Sequence, residues 1–240
     1  MKFRDFLNLG LRPFGSELQK TGLGSDWKRD AKTLLGKQNP NIIFDLGANE
    51  GQTLRQIVPH FPSATIHSFE PFPSSFETLN LHWGQHTRIH LWEMALGEAS
   101  GESALYLSDD HPSNSLLSYH PEFQKNSEPP QTIQVPVTTL DDFCEQHQIS
   151  QIDLLKMDCQ GYELNILKGA QSLLEQKKIS VIYSEVILIP QYNQQAYIDE
   201  LIAYLRIYDY GLITVYDGNR GCNGTLKWSN ALFAPRSNPL

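Results

Sequence analysis

An apolar run that ends in an acid and then in a glycine-rich turn restricts the folds open to this chain more than any other stretch. It reads Asn41-Ile42-Ile43-Phe44-Asp45-Leu46-Gly47-Ala48-Asn49-Glu50-Gly51-Gln52-Thr53, with a helix-like stretch from Thr53 to Val58. Ile42 to Phe44 has the character of a buried parallel strand, and the turn delivers main chain to whatever binds at the strand's end. Glycine lets backbone approach closely there, and the helix start offers unpaired N–H groups. A second apolar strand, Ala64 to Phe69, ends in Glu70. Two later segments repeat the form. Ile152 to Asp158 precedes a helix from Glu163 to Gln176, and Ile179 to Val186 places Glu185 near its end. On that helix Leu164, Leu167, Ala170, Leu173 and Leu174 share one face. Asp45, Glu70, Asp158 and Glu185 are therefore expected to converge at the carboxyl edge of one sheet, where α/β folds bind ligands.

The turn also bears on which ligand. A dinucleotide site needs GxGxxG, with a pyrophosphate over the helix start. Here Asn49 replaces the middle glycine and Glu50 adds negative charge, which opposes a pyrophosphate. An acid-containing loop suits a phosphate-free ligand with a cationic end. S-adenosylmethionine has that character, with a sulfonium, an α-amino group and a ribose whose diol an acid such as Glu70 would hold.

Several further pieces stand in a fixed order: Asp45 to Gln52, Phe69-Glu70-Pro71-Phe72-Pro73, Ala95-Leu96-Gly97, Val135 to Phe143, Leu155 to Leu164, Leu167-Lys168-Gly169-Ala170 and Ser184-Glu185-Val186. In this order and spacing the chain resembles the FkbM-type S-adenosylmethionine-dependent methyltransferases over roughly Asn41 to Glu185. The resemblance implies a Rossmann-like class I methyltransferase fold: a mostly parallel seven-stranded sheet flanked by helices and closed by a C-terminal antiparallel hairpin. Many members carry Glu where this chain has Gln160, so no acid or metal role is assigned to that position.

Composition narrows the class further. The chain has 240 residues, 40% of them hydrophobic, enough for one well-cored domain, and a formal net charge of −8 without a basic stripe. That balance argues against nucleic-acid binding, which needs clustered Lys and Arg. Cys144, Cys159 and Cys222 form no CxxC, which fits a reducing, cytoplasmic setting and neither a disulfide framework nor a zinc site. No apolar run is long enough for a transmembrane span, and the start lacks an apolar signal core. Residues 1–40 read as an N-terminal helical cap on a 41–240 catalytic domain, with a helix near Asp26 to Leu35. The aromatic face of Phe3, Phe6, Leu7 and Leu11 would alternatively serve a membrane surface or a homodimer arm. Strands are expected at Ile42–Asp45, Thr65–Phe69, Ile89–Ala95, Ile152–Asp158 and Val181–Val186. Ser103–Leu107 and Thr132–Val137 should flank a polar excursion, Ser108 to Gln131, of the length that marks a lid or disorder. Gly211–Asp217 and Lys227–Ala234 read as the hairpin, with Gly218, Gly221 and Gly224 between them.

The chemistry follows from these placements. Asp45 orders the glycine-rich loop or reaches the amino-acid end of the cofactor. Gly47, Ala48, Asn49, Gln52 and Thr53 line that end. Glu70 accepts from the ribose hydroxyls, Pro71 and Phe72 flank the adenosine, Ala95 approaches the adenine, and Ser115, in a Ser-rich patch of the excursion, closes over the cofactor. Asp158 lies nearest the transferred methyl, and S-adenosylhomocysteine is the product. A hydroxyl acceptor needs a base, for which Asp158 and Glu185 are the candidates. Gln160 and Tyr192 are assigned to the substrate, taken to be a sugar, glycan or secondary metabolite. His82, His86 and His90 stand at i, i+4 and i+8, but Gly84 breaks any helix that would make them a metal face. No metal is assigned; a divalent cation, if bound, would sit on Asp158 and Glu185 through oxygen. The alternatives are a nicotinamide-dependent oxidoreductase and a non-catalytic module that binds the cofactor.

Overall fold

The computed structural model describes residues 22–36, 38–108, 113–122, 130–216 and 218–236. The first described helix, α1 (Trp27–Leu34), begins where Asp26 caps it by accepting from the Lys28 N–H. The expected segment Asp26 to Leu35 is thus helical; the aromatic face from Phe3 to Leu11 lies outside the described residues.

The chain then alternates β1 (Ile42–Leu46), α2 (Leu54–His60), β2 (Thr65–Phe69), α3 (Pro73–Trp83) and β3 (Ile89–Trp92). Next come β4 (Ala95–Leu96), β5 (Gly101–Tyr106), β6 (Thr132–Thr138) and α4 (Leu140–Gln146). The last part runs β7 (Ile152–Met157), α5 (Glu163–Lys168), α6 (Gln171–Glu175), β8 (Ile179–Ile187), α7 (Ile198–Ile207), β9 (Tyr210–Val215), β10 (Asn219–Arg220) and β11 (Leu226–Pro235).

The main sheet runs β3-β2-β1-β7-β8-β11, with β9 and the two-residue β10 also on β11. Strands β1, β2, β3, β7 and β8 are parallel, and β11 is antiparallel to β8, β9 and β10. This is the class I methyltransferase arrangement, a mostly parallel sheet with a C-terminal antiparallel hairpin. Both sheet faces are covered, so alternate residues of one strand enter different cores. Phe44, Leu155 and Ile182 pack with Phe143, Leu167 and Leu201 on one face. Ile43, Ile66, Leu154, Val181 and Leu232 pack with Leu54, Ile57 and Ala31 on the other. The same alternation carries Asp45, Glu70, Lys156, Asp158, Tyr183, Glu185 and Asn230 onto the second face, near the carboxyl ends of β1, β2, β7 and β8.

Three expectations change. The strand expected over Ile89–Ala95 is split: the last bond to β2 is Glu70 N–H to the Trp92 carbonyl, after which Ala95 pairs with Val137 in a separate β4-β6-β5 sheet. The helix expected over Glu163–Gln176 is likewise two. A Cβ on Gly169 would lie 2.0 Å from the Gly97 carbonyl oxygen, so two backbones touch there. The Asp141 carboxylate accepts from the N–H groups of Ser172 and Leu173 and starts α6 afresh. The excursion, finally, is not loose over 113–122. Ser115 bridges to Tyr106, Tyr119 bridges to Tyr192, and Leu117 is buried with Ile187 and Tyr192.

Candidate active site

A cleft of about 460 Å³ opens at these strand ends. Of the residues assigned from sequence, Gly47, Ala48, Asn49, Gln52, Thr53, Glu70, Pro71, Ala95, Ser115, Asp158, Gln160 and Glu185 line it. Asp45, Phe72 and Tyr192 do not.

Asp45 lies beneath the cleft, fully buried, with its Oδ1 3.0 Å from the Nζ of Lys156. Lys156 also donates to the carbonyls of Leu46 and Gly47, at 3.4 and 3.3 Å, and lies 3.8 Å from Asp158. Burial alone would lower the Lys156 pKa, but Asp45 and Asp158 outweigh it and the net shift is upward, so Lys156 is a cation. Burial raises Asp45 and Lys156 opposes that; with the ammonium in contact, Asp45 is the carboxylate of a buried pair. The pair fixes the glycine-rich loop from below.

Glu70 is buried against the same loop. Its Oε2 accepts from the Asn49 N–H at 2.8 Å and its Oε1 from the Phe72 N–H at 2.9 Å. Burial raises its pKa against those two bonds. Phe72 thus serves the site through its backbone N–H. Asn49 reaches Glu70 from the left-handed region, at φ 48°.

At the other end Gln160 joins both acids. Its Nε2 donates to Asp158 Oδ1 at 3.0 Å and to Glu185 Oε2 at 3.2 Å. Its Oε1 accepts from the Tyr192 hydroxyl at 2.9 Å, and its carbonyl accepts from Ser115 Oγ at 2.7 Å. The amide is therefore engaged by protein groups. Tyr192, 2% exposed, stands behind Gln160 and cannot touch a molecule in the cleft. Its expected substrate contact is replaced by a grip on Gln160. Glu163 is buried beside them, accepts from the Cys159 N–H at 2.8 Å, and is pushed up to about 7 by burial.

Glu185 is pushed up to about 10, first by burial and then by Asp158 and Glu163. It is therefore protonated at neutral pH. In the unfolded chain it would ionise near 4.5, so the folded state holds a proton the unfolded state has lost. The stability tied to this group is full below about 4.5 and falls as pH rises toward 10. Glu185→Gln, similar in shape and unable to ionise, is expected to raise the melting temperature at pH 8 and leave it unchanged near pH 4. Calorimetric scans at both values check this, and an equal shift at the two would refute it.

Sequence reasoning missed several lining residues: Trp27, Met94, Lys156, Trp228 and Asn230; Tyr183, one of the tyrosines passed over in favour of Tyr192, lines the cleft as well. Trp27 stacks on Tyr183 with centroids 4.5 Å apart. Glu50, thought to repel a pyrophosphate, is exposed and outside the lining. The electrostatic argument rests on Lys156 instead. It is the one cation among the described lining residues, and Asp45 and two carbonyls already engage it.

Among the described residues no group of three or more His, Cys, Asp or Glu is arranged to hold a metal ion. His82 lies on α3, His86 follows that helix, and His90 lies on β3, stacked 4.9 Å from His67. No described helix is long and apolar enough to cross a membrane.

Comparison with known proteins supplies the family. The profile described as "Methyltransferase FkbM domain" matches residues 45–212. The chain belongs to the FkbM methyltransferase family. Among similar proteins, this FkbM-family chain is 28% identical over 189 residues to "2-O-methyltransferase NoeI" of Sinorhizobium fredii, covering 73% of this chain and 74% of that one. It is 23% identical over 203 residues to "31-O-demethyl-FK506 methyltransferase FkbM" of Streptomyces tacrolimicus, covering 74% and 75%. The solved "METTL16 MTase domain (crystal form 2)" superposes with a TM-score of 0.52 at 12% identity, covering 98% of this chain and 79% of that one, a likeness of fold.

Proposed function

We propose that this FkbM-family protein methylates a hydroxyl of a sugar, glycan or secondary metabolite, using S-adenosylmethionine. The observation that carries the reading is the donor set: a cleft edged by Glu70, Asp158 and Glu185, whose one described cation is engaged by Asp45. Such a set accommodates a phosphate-free cation and opposes a pyrophosphate, which disfavours a nicotinamide cofactor. The names of both FkbM-family relatives specify transfer to oxygen.

The cofactor, when bound, supplies a methyl group on positively charged sulfur. Glu70 keeps lone pairs beyond the two backbone bonds, and these would accept from the ribose hydroxyls. Main chain at Gly47, Ala48 and Asn49, with Gln52 and Thr53, would hold the amino-acid end. Pro71 and Ala95 would border the adenosine, and Ser115 would hold the turn at Gln160. Asp158 is the base, because Glu185 retains its proton at neutral pH and a protonated acid cannot accept another. Glu185 then donates to the acceptor oxygen. Asp158 would take the acceptor hydroxyl's proton as that oxygen accepts the methyl group, and the demethylated cofactor would leave as S-adenosylhomocysteine. Residues 1–40 act as a cap, with α1 bringing Trp27 to the cleft.

Titration calorimetry with S-adenosylhomocysteine against NADH tests the reading; binding of NADH alone would reverse it. Transfer of labelled methyl to acceptors in a cell extract would distinguish an enzyme from a cofactor-binding module. Glu70→Ala is expected to weaken S-adenosylhomocysteine binding by about 1.5–3 kcal/mol, roughly ten- to a hundred-fold in Kd. An unchanged Kd would remove Glu70 from the cofactor site.

A further inference from the structure

Resting on the methyl-transfer reading, we propose that Trp27, Tyr183, Trp228 and Asn230 form the acceptor subsite, and that it selects a neutral pyranose ring with neighbouring free hydroxyls. Some polar groups of the cleft wall are engaged by protein and others are not. On the cofactor side Glu70, Lys156, Asp158 and Gln160 bond to protein groups, while the side chains of Gln52 and Thr53, which face the cofactor's amino-acid end, have no such bond among the described residues. On the other side the Tyr183 hydroxyl, the Asn230 amide and the Trp228 indole N–H belong to lining residues, have no protein hydrogen-bond partner among the described residues, and are not sealed from solvent. Hydrogen-bonding groups in a pocket wall without protein partners mark where a ligand's own groups complete the bonding.

Their placement follows from strand register. Asn230 of β11 stands opposite Glu185 of β8, and Trp228 stands opposite Ile187. Tyr183 lies two residues before Glu185, on the same face. Their backbone positions are thus spaced by one strand separation, about 4.8 Å, in one direction and by two residues, about 6.8 Å, in the other. Glu185, a donor when protonated, sits between them. Flat rings bound the array: Trp27 stacked on Tyr183 at one end, and Trp228, 37% exposed, at the other. A pyranose combines hydroxyls around its rim with C–H faces that lie on aromatic rings, and indole is amphipathic in the same sense.

The charges select against anions. Asp158 and Glu185 border the subsite, Lys156 is engaged by Asp45, and Lys28, 5.1 Å over Trp27, is paired with Asp26 at 3.3 Å. A phosphate or carboxylate on the acceptor would meet carboxyl groups with no uncommitted cation among these residues. A flat phenol or an apolar macrocycle would cover the rings but leave three polar groups unpaired, a loss that a hydroxyl-rich ring avoids.

The full-length protein is assayed for transfer of labelled methyl to four acceptor sets. These are methyl glycosides of neutral hexoses, 6-deoxyhexoses and N-acetylhexosamines; hexose 6-phosphates and uronic acids; catechol; and a macrolactone. Neutral glycosides are expected to be methylated at least ten-fold more efficiently than the other sets. Trp228→Ala and Asn230→Ala are expected to raise KM for the best glycoside about ten-fold, while the Kd for S-adenosylhomocysteine changes less than two-fold. A better acceptor among the anions, catechol or the macrolactone overturns the proposal. So does methylation of no glycoside by protein that binds S-adenosylhomocysteine, or an unchanged glycoside KM in both variants. Failure to bind S-adenosylhomocysteine at all would instead remove the methyl-transfer reading beneath it.

Discussion

Replacing Gly47 with alanine is expected to cost the fold about 2–6 kcal/mol and to abolish S-adenosylhomocysteine binding in whatever protein remains folded. Two effects add. Gly47 has a φ of 72°, where a side chain costs about 1–3 kcal/mol. A Cβ there would lie 2.0 Å from the Asp158 carbonyl oxygen, and backbone cannot swing aside as a side-chain tip does. Overpacking of that kind costs about 1–3 kcal/mol, occasionally more. The close approach also joins the β1 loop, which would hold the cofactor's amino-acid end, to the β7 loop that carries Asp158. Relief of the clash must separate them. Urea unfolding of Gly47→Ala beside the wild type measures the first effect and calorimetry the second. A variant of native stability and native affinity would show that the loops adapt at no cost, and that the contact does not set the site.

Lys156→Met is expected to destabilise the protein by about 3–5 kcal/mol, because it leaves the fully buried Asp45 carboxylate without its cation. The double variant Asp45→Asn/Lys156→Met removes both charges and is expected to recover much of that loss, since a buried ion pair contributes little beyond neutral packing. Denaturant midpoints of the two single variants and the double variant close the cycle. Additive losses would mean that Asp45 and Lys156 act independently and that the pair does not anchor the loop. Stability of Lys156→Met should also recover as pH falls and Asp45 takes up a proton, and more steeply than in the wild type, where Lys156 opposes that protonation.

The sheet was largely legible because its strands are short apolar runs closed by Asp, Glu or Gly, and parallel pairing with both faces buried demands that composition. Asp158 and Glu185 were found for the same reason. The breaks were not legible. A helical period runs unbroken from Leu164 to Leu174, and only the contact of Gly169 with Gly97, more than seventy positions earlier, shows that the helix must restart on Asp141. Ala95 likewise continues the β3 pattern until Val137 takes it. Roles that depend on direction were misread most. Asp45 reads like Asp158 in sequence, but it lies one residue inside β1 and is covered by Lys156, whereas Asp158 follows the last residue of β7 and reaches the cleft. Lys156 was overlooked because a lysine inside an apolar strand carries no motif; a cation at such a position is itself a signal, since burial without a partner is prohibitive. Tyr192 looked like a ligand contact from its loop position, and only the folded-back segment 113–122 reveals it as buried. Trp27 and Asn230 come from opposite ends of the sequence, and nothing local relates them.

The division of the cleft into a main-chain side and a side-chain side bears on how such a catalyst can be retargeted. Where backbone forms the walls, as from Gly47 to Asn49, a point change disturbs folding before it alters choice. Where side chains on β11 form them, single exchanges at Trp228 or Asn230 leave the scaffold intact, whereas Trp27 is held by its stack on Tyr183. Diversification of what receives the methyl, in the laboratory or over generations, is therefore open along that rim and closed on the other.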